Sequence, residues 1–79
     1  MFRLTCLGVK CEPLGLEETC TAINELRDVE VEVLDLREGG KVHRLTIGPA
    51  GFVHETYGAR LIVKDIRLLL ETPGRRVYA

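Results

Sequence analysis

Residues 29–47 read VEVEVLDLREGGKVHRLTI, and the fold turns on how this stretch pairs with itself. Val29, Val31 and Val33 alternate with Glu30 and Glu32, the two-residue period of a strand with one apolar and one solvated face. Leu34 and Leu36 carry the apolar pattern on the opposite parity, a switch that a bulge near Val33 and Leu34 would produce. Gly39 and Gly40 then supply two adjacent positions that accept positive φ, the requirement of a tight two-residue hairpin turn. Lys41 to Ile47 becomes the second arm. In that register Glu38 faces Lys41, Asp35 faces Arg44, Leu34 faces Leu45 and Leu36 faces His43, which gives two opposite-charge pairs and an apolar cluster.

Upstream of the hairpin, Leu16, Cys20, Ile23 and Leu26 recur at helical spacing and predict a helix over Leu16 to Arg27. Pro13 and Gly15 punctuate its start, Glu17 and Glu18 sit at the positive end of its dipole, and Arg27 sits at the negative end. Met1 to Leu7 reads as a first strand that ends at Gly8, with Phe2, Leu4 and Cys6 on one face.

Downstream, Gly48-Pro49-Ala50-Gly51 breaks the strand, and Phe52 to Gly58 reads as one or two helical turns or an irregular loop. Leu61 to Val63 reads as a short buried strand. Ile66 to Leu70 is expected to be its hairpin partner across Lys64-Asp65, with a short helix capped by Asp65 as the alternative. Pro73-Gly74 marks a turn before a basic tail, Arg75 to Ala79, which either frays or adds an edge strand through Val77 and Tyr78. Together these elements predict an α+β fold in a single domain, 1–79. One main helix packs on a small, mostly antiparallel sheet that contains the 29–47 β-hairpin.

A chain of 79 residues is one core's worth of protein, and it buries only about 60 to 65% of its unfolded surface. Self-association as a homo-oligomer is therefore expected, to cover what a single copy leaves exposed. The apolar runs are far shorter than the roughly 20 residues of a membrane span, so no membrane partner is expected. Met1 to Gly8 lacks the apolar core of a secretory signal, and three cysteines are an odd number for a disulfide framework; both favour reduced thiols and a cytoplasmic location.

The net charge of −1 conceals a division. Residues 1–40 hold four Lys and Arg against nine Asp and Glu, whereas residues 41–79 hold seven against three. The plain reading is charge neutralisation within one copy; as alternatives, the basic half suits an anionic partner, or two copies pair acidic half to basic half.

No set of residues has the spacing of a known catalytic motif, and neither a metal site nor a cofactor is expected. Cys6, Cys11 and Cys20 lack the two-residue spacing of zinc ligands. Cys6 and Cys20 read as small apolar fillers, and His54 reads as a surface or loop histidine. Cys11 lies in the loop before the helix beside Lys10, where exposed amides would favour a thiolate.

The stretch Phe2 to Leu36, with Cys11-Glu12-Pro13-Leu14, resembles the first βαβ unit of thioredoxin and glutaredoxin proteins (residues 2–36). Leu14 stands where that family carries its second cysteine, so the resemblance implies at most a single-thiol mechanism with Cys11 as the nucleophile.

Ile47-Gly48-Pro49-Ala50-Gly51, followed by Glu55 to Val63, is similar to the GxxG loop, helix and strand of KH-type RNA-binding modules (residues 42–63). That likeness implies single-stranded RNA clamped at Gly48 and Gly51, with Arg44, Arg60 and Lys64 facing phosphates. Gly58 to Val77 is also similar to the strand and short helix of AbrB-type DNA-binding proteins, without the expected proline before Lys64. The reading that needs no such likeness is a small non-catalytic binding or accessory module, self-associating through a sheet face or edge.

Overall fold

In a computed structural model, which describes residues 1–37, 39–56, 58–71 and 77–79, the chain forms a six-stranded sheet with two short helices on one face. The elements in chain order are β1 (Phe2–Cys6), β2 (Val9–Lys10), α1 (Leu16–Glu25), β3 (Val29–Asp35), β4 (Val42–Gly48), β5 (Gly51–Thr56), β6 (Ala59–Val63) and α2 (Ile66–Glu71). The strand order is β2-β1-β3-β4-β5-β6, and every neighbouring pair is antiparallel. This corrects the expected fold class. The sheet is the body of the molecule, and no main helix packs on a small sheet; the helices are ten and six residues long.

Strand alternation sends Phe2, Leu4, Val31, Val33, Leu45, Ile47 and Val63 to the helix-covered face, where all are buried. Cys20 and Ile23 of α1 and Ile66, Leu69 and Leu70 of α2 close the core from above. Thr19 faces inward as well, and it satisfies its hydroxyl by donating to the Gly15 carbonyl at 2.7 Å. α1 stops at Glu25, two residues short of the expected end. Leu26 is already extended and Asp28 has φ of 51°, while the Arg27 guanidinium donates to the Asn24 and Leu26 carbonyls at the helix end.

The hairpin over residues 29–47 is present, but its register differs from expectation by three residues. Val33 pairs with His43, Glu32 with Arg44, Val31 with Leu45 and Leu34 with Val42. The pairs Leu34–Leu45, Asp35–Arg44 and Leu36–His43 are therefore corrected; Glu38, expected opposite Lys41, lies outside the described residues. No bulge shifts the parity of β3, because Asp35 stays on the inward face. The Asp35 amide donates to the Lys41 carbonyl at 2.7 Å, so the reversal spans residues 36–40 instead of the two glycines alone. Gly39 and Gly40 still take positive φ, 85° and 57°.

Two further expectations change. Residues 51–56 form β5, neither helix nor irregular loop: Gly48 pairs with Gly51 across Pro49 and Ala50 in a tight hairpin turn. Residues 66–71 form α2, not a strand, and Asp65 caps it by accepting from the Arg67 amide at 2.8 Å. The expected turn at Pro73-Gly74 lies outside the described residues.

Both sheet edges are partly occupied. On the outer side of β1, β2 pairs with Thr5 and Cys6, and Phe2 and Leu14 exchange backbone hydrogen bonds of 2.8 and 2.7 Å. Beyond β6, Lys64 donates to Val77 and Ala79 donates to Ile62, at 2.7 and 2.8 Å, around a Val63–Tyr78 bridge. Short, partly paired edges make poor templates for strand addition.

Candidate functional site

The face opposite the helices carries the residues of the other parity. In the observed register Glu32 pairs with Arg44, Arg44 with Glu55, and Glu55 with Arg60. These four side chains form one row across four strands with charges alternating negative, positive, negative, positive. A second row beside it runs Glu30, Thr46, Val53, Ile62. Val42 and Ile62 expose 47% and 44% of their surface on this face, more than a strand valine or isoleucine shows where a layer covers it.

Lateral contacts within the charged row are loose. Arg44 Nε lies 3.7 Å from Glu32 Oε1, with both side chains mostly exposed, and Arg60 Nη2 reaches Thr46 Oγ1 at 3.4 Å. The row borders two open depressions. One, of about 360 Å³, is lined by Glu30, Glu32, Arg44, Leu45, Thr46 and Glu55. The other, of about 550 Å³, lies at the β5–β6 turn against Glu55, Thr56, Gly58, Ala59 and Arg60. Neither has the apolar walls of a small-molecule site.

Arg44, Gly48, Gly51 and Arg60 all fall on this open face by strand parity, and Lys64 follows the last residue of β6. The two arginines do not form a basic track, because Glu55 stands between them and Glu32 lies on the far side of Arg44. The acidic and basic halves of the sequence interleave in space because acidic β3 pairs with basic β4. Gly48–Gly51 is a turn between strands, where the KH likeness implies a following helix. β1 and β3 are antiparallel neighbours, where a βαβ unit has parallel strands.

The three cysteines are free thiols in separate settings. Cys11 is exposed after β2, and its amide donates to the Leu4 carbonyl at 2.9 Å; α1 begins only at Leu16, so its first turn is remote in sequence from this thiol. Cys6 is half-buried against the core, and burial pushes the Cys20 thiol up. Among the described residues, no group of three or more His, Cys, Asp and Glu side chains is placed to hold a metal ion.

Comparison with protein-family models, with curated proteins and with solved structures finds no match to this chain. Its surface chemistry therefore carries the functional argument. Among the described residues, no helix is long and apolar enough to cross a membrane.

Beneath the sheet lies a polar cluster that sequence reasoning missed. His54 is 3% exposed and His43 fully buried, which corrects the expectation of a surface or loop histidine at position 54. His43 Nδ1 and His54 Nε2 are 3.4 Å apart, and His54 Nδ1 lies 2.7 Å from the Tyr78 hydroxyl. Burial, reinforced by His54 and Lys41, lowers the pKa of His43 to about 4, and burial lowers that of His54 as well. The only available signal was parity: once residues 51–56 are a strand, His54 falls on the same face as Phe52.

Nearby, the Arg37 guanidinium grips both oxygens of buried Asp35, donates to the Leu70 carbonyl and lies 5.1 Å from the centre of the Phe2 ring. It holds the Asp35 carboxyl below the usual carboxylate range. This clamp and the histidine pair lie in the core beneath the open face.

Proposed function

We propose that this chain is a non-catalytic binding module that self-associates through the uncovered face of its sheet. The observation that carries the reading is the alternating row Glu32, Arg44, Glu55, Arg60, flanked by exposed Val42 and Ile62 on a face that neither helix covers. Single exposed apolar residues are ordinary, but a charged row ordered across four strands beside them is a patterned surface. Size adds to the argument, since a 79-residue chain gains more from a partner on its open face than a larger domain does. Partial pairing of both edges favours the face over the edges as the docking surface.

An RNA-binding reading draws support from the shared face of Arg44, Gly48, Gly51 and Arg60. Glu32 and Glu55 weaken it by placing carboxylates where a nucleic-acid backbone would run. The single-thiol reading rests on the exposure of Cys11 alone.

Sedimentation velocity over a wide concentration range tests the proposal. A dimer fraction that grows with concentration and falls with added salt supports it. A single monomeric species throughout would overturn it.

A further inference from the structure

The order of charges along the open row restricts how two copies can meet. Read from β3 to β6 it is negative, positive, negative, positive; read from β6 to β3 every sign is reversed. A row with this property complements itself when turned end for end.

Two sheets placed face to face by a two-fold axis lying between them have two simple options. An axis across the strands sets each residue of the row against its own copy, so glutamate meets glutamate and arginine meets arginine. An axis parallel to the strands reverses the row. Centred on β4 it still brings Arg44 against the partner's Arg44, and centred on β5 it brings Glu55 against the partner's Glu55. Centred between β4 and β5 it opposes every charge of the row with its opposite.

We infer that the occupant of the open face is a second copy of this chain, related by a two-fold axis parallel to the strands and centred between β4 and β5. The inference rests on the self-association reading above. Arg44 then faces the partner's Glu55, and Glu32 faces the partner's Arg60, each pair occurring twice by symmetry. In the neighbouring row Thr46 lies opposite the partner's Val53 and Glu30 opposite the partner's Ile62, so apolar contact is confined to the Thr46–Val53 pairs and to the methylene stem of Glu30 against the partner's Ile62. Under this axis β3 to β6 face the partner's β6 to β3 while β1 overhangs. Four strands of five to seven residues span roughly 19 Å by 20 Å of mean plane, about half of the ~800 Å² per partner of a standard interface, which makes this a small contact steered by its charges. The lateral contacts leave these side chains free to reach across, since the Arg44–Glu32 approach is 3.7 Å and largely exposed.

Charge reversal in mixed pairs tests this arrangement. In R44E the symmetric dimer sets the introduced carboxylate against the partner's Glu55 twice, and in E55R it opposes two arginines twice. Each variant alone is expected to dimerise on the order of tenfold to a hundredfold more weakly than the natural chain. An equimolar mixture of the two restores an attractive contact between the substituted side chains, so heterodimers form at concentrations where each variant alone is monomeric. The pair E32R and R60E is expected to behave in the same way at the ends of the row, and it stands in if either central variant loses its dispersed amide spectrum. Native mass spectrometry of isotope-labelled mixtures reads the result. A natural chain that dimerises together with single variants that dimerise equally well would overturn the axis while leaving self-association intact. Absence of heterodimer from mixtures of folded monomeric variants would do the same. A monomeric natural chain would overturn both.

Discussion

Nδ1 of His43 lies 3.4 Å from Nε2 of His54 inside the core, and the second nitrogen of His54 meets the Tyr78 hydroxyl at 2.7 Å. With neutral rings the contacts run in one direction or the other. If Tyr78 donates to His54, then His54 donates to His43; if the direction reverses, every donor becomes an acceptor. Protonating either ring places two donors against one another or buries a charge. Among the described residues, Nε2 of His43 has no hydrogen-bond partner to receive a second proton.

Acid is therefore expected to destabilise the fold in a definite window. The pKa of His43 falls from 6.5 unfolded to about 4 folded, so the unfolded chain binds more protons between those values. Stability is full above pH 6.5 and falls as pH drops toward 4, by an amount on the order of 3 kcal/mol. His54 acts in the same sense. Asp35 and Glu17, whose pKa values are lowered by Arg37 and Arg67, keep their contributions above their ordinary values of 3.8 and 4.5 and lose them as pH falls below those, so the loss between pH 6.5 and 5 belongs to the histidines. Urea midpoints measured from pH 7.5 to 3.5 check this; a flat profile above pH 4 would contradict it.

Tyr78 fastens the C-terminal tail through the same cluster. Replacing it with phenylalanine removes the hydroxyl from His54 Nδ1 and is expected to cost about 1 to 2 kcal/mol. Hydrogen exchange at the Lys64 amide, which donates to the Val77 carbonyl, should accelerate more than exchange at the β3–β4 ladder. Equal acceleration everywhere would show global destabilisation instead.

Arg37 compensates a carboxylate that would otherwise stand alone in the core. R37A is expected to lower the melting temperature more than R37K, because lysine keeps the charge but loses the two-pronged grip on Asp35. The double variant D35N/R37A should be more stable than R37A, since it leaves no unpaired buried anion. Thermal unfolding of the three variants ranks them.

The hairpin register is tested by its two leucines. Leu45 faces the core at 2% exposure, whereas Leu34 lies on the open face opposite Val42. L45A is expected to cost about 2 to 5 kcal/mol and L34A under about 1 kcal/mol. Their effects should add, because the residues do not meet. Similar costs with strong coupling would favour the register in which they pair.

That register marks where the sequence stopped being legible. β1, α1 and the hairpin were readable from Phe2 and Leu4, from the helical stripe of Leu16, Cys20 and Ile23, and from Val29 to Val33, where local pattern and tertiary burial agree. The tail was readable only as one of two outcomes, fraying or an edge strand, and the Val63–Tyr78 bridge favours the second. The register was not, because Leu34 and Leu36 pointed to a change of parity that Asp35 overrides by staying inward under the Arg37 clamp. β5 was obscured by Gly51 and by a histidine at an inward position, and α2 by an apolar run too short to show a period. Of the five residues singled out for binding, four share the open face. The carboxylates that alternate with the arginines emerge only once the strands are set side by side.

Solvent paramagnetic relaxation at methyl groups addresses the central claim most directly. With a soluble neutral spin probe, the methyls of Val53 and Ile62 on the open face should lose enhancement as protein concentration rises. The methyls of Leu68, 41% exposed on α2, should keep theirs. Enhancement at Val53 and Ile62 that stays constant from dilute to concentrated protein would contradict association through this face.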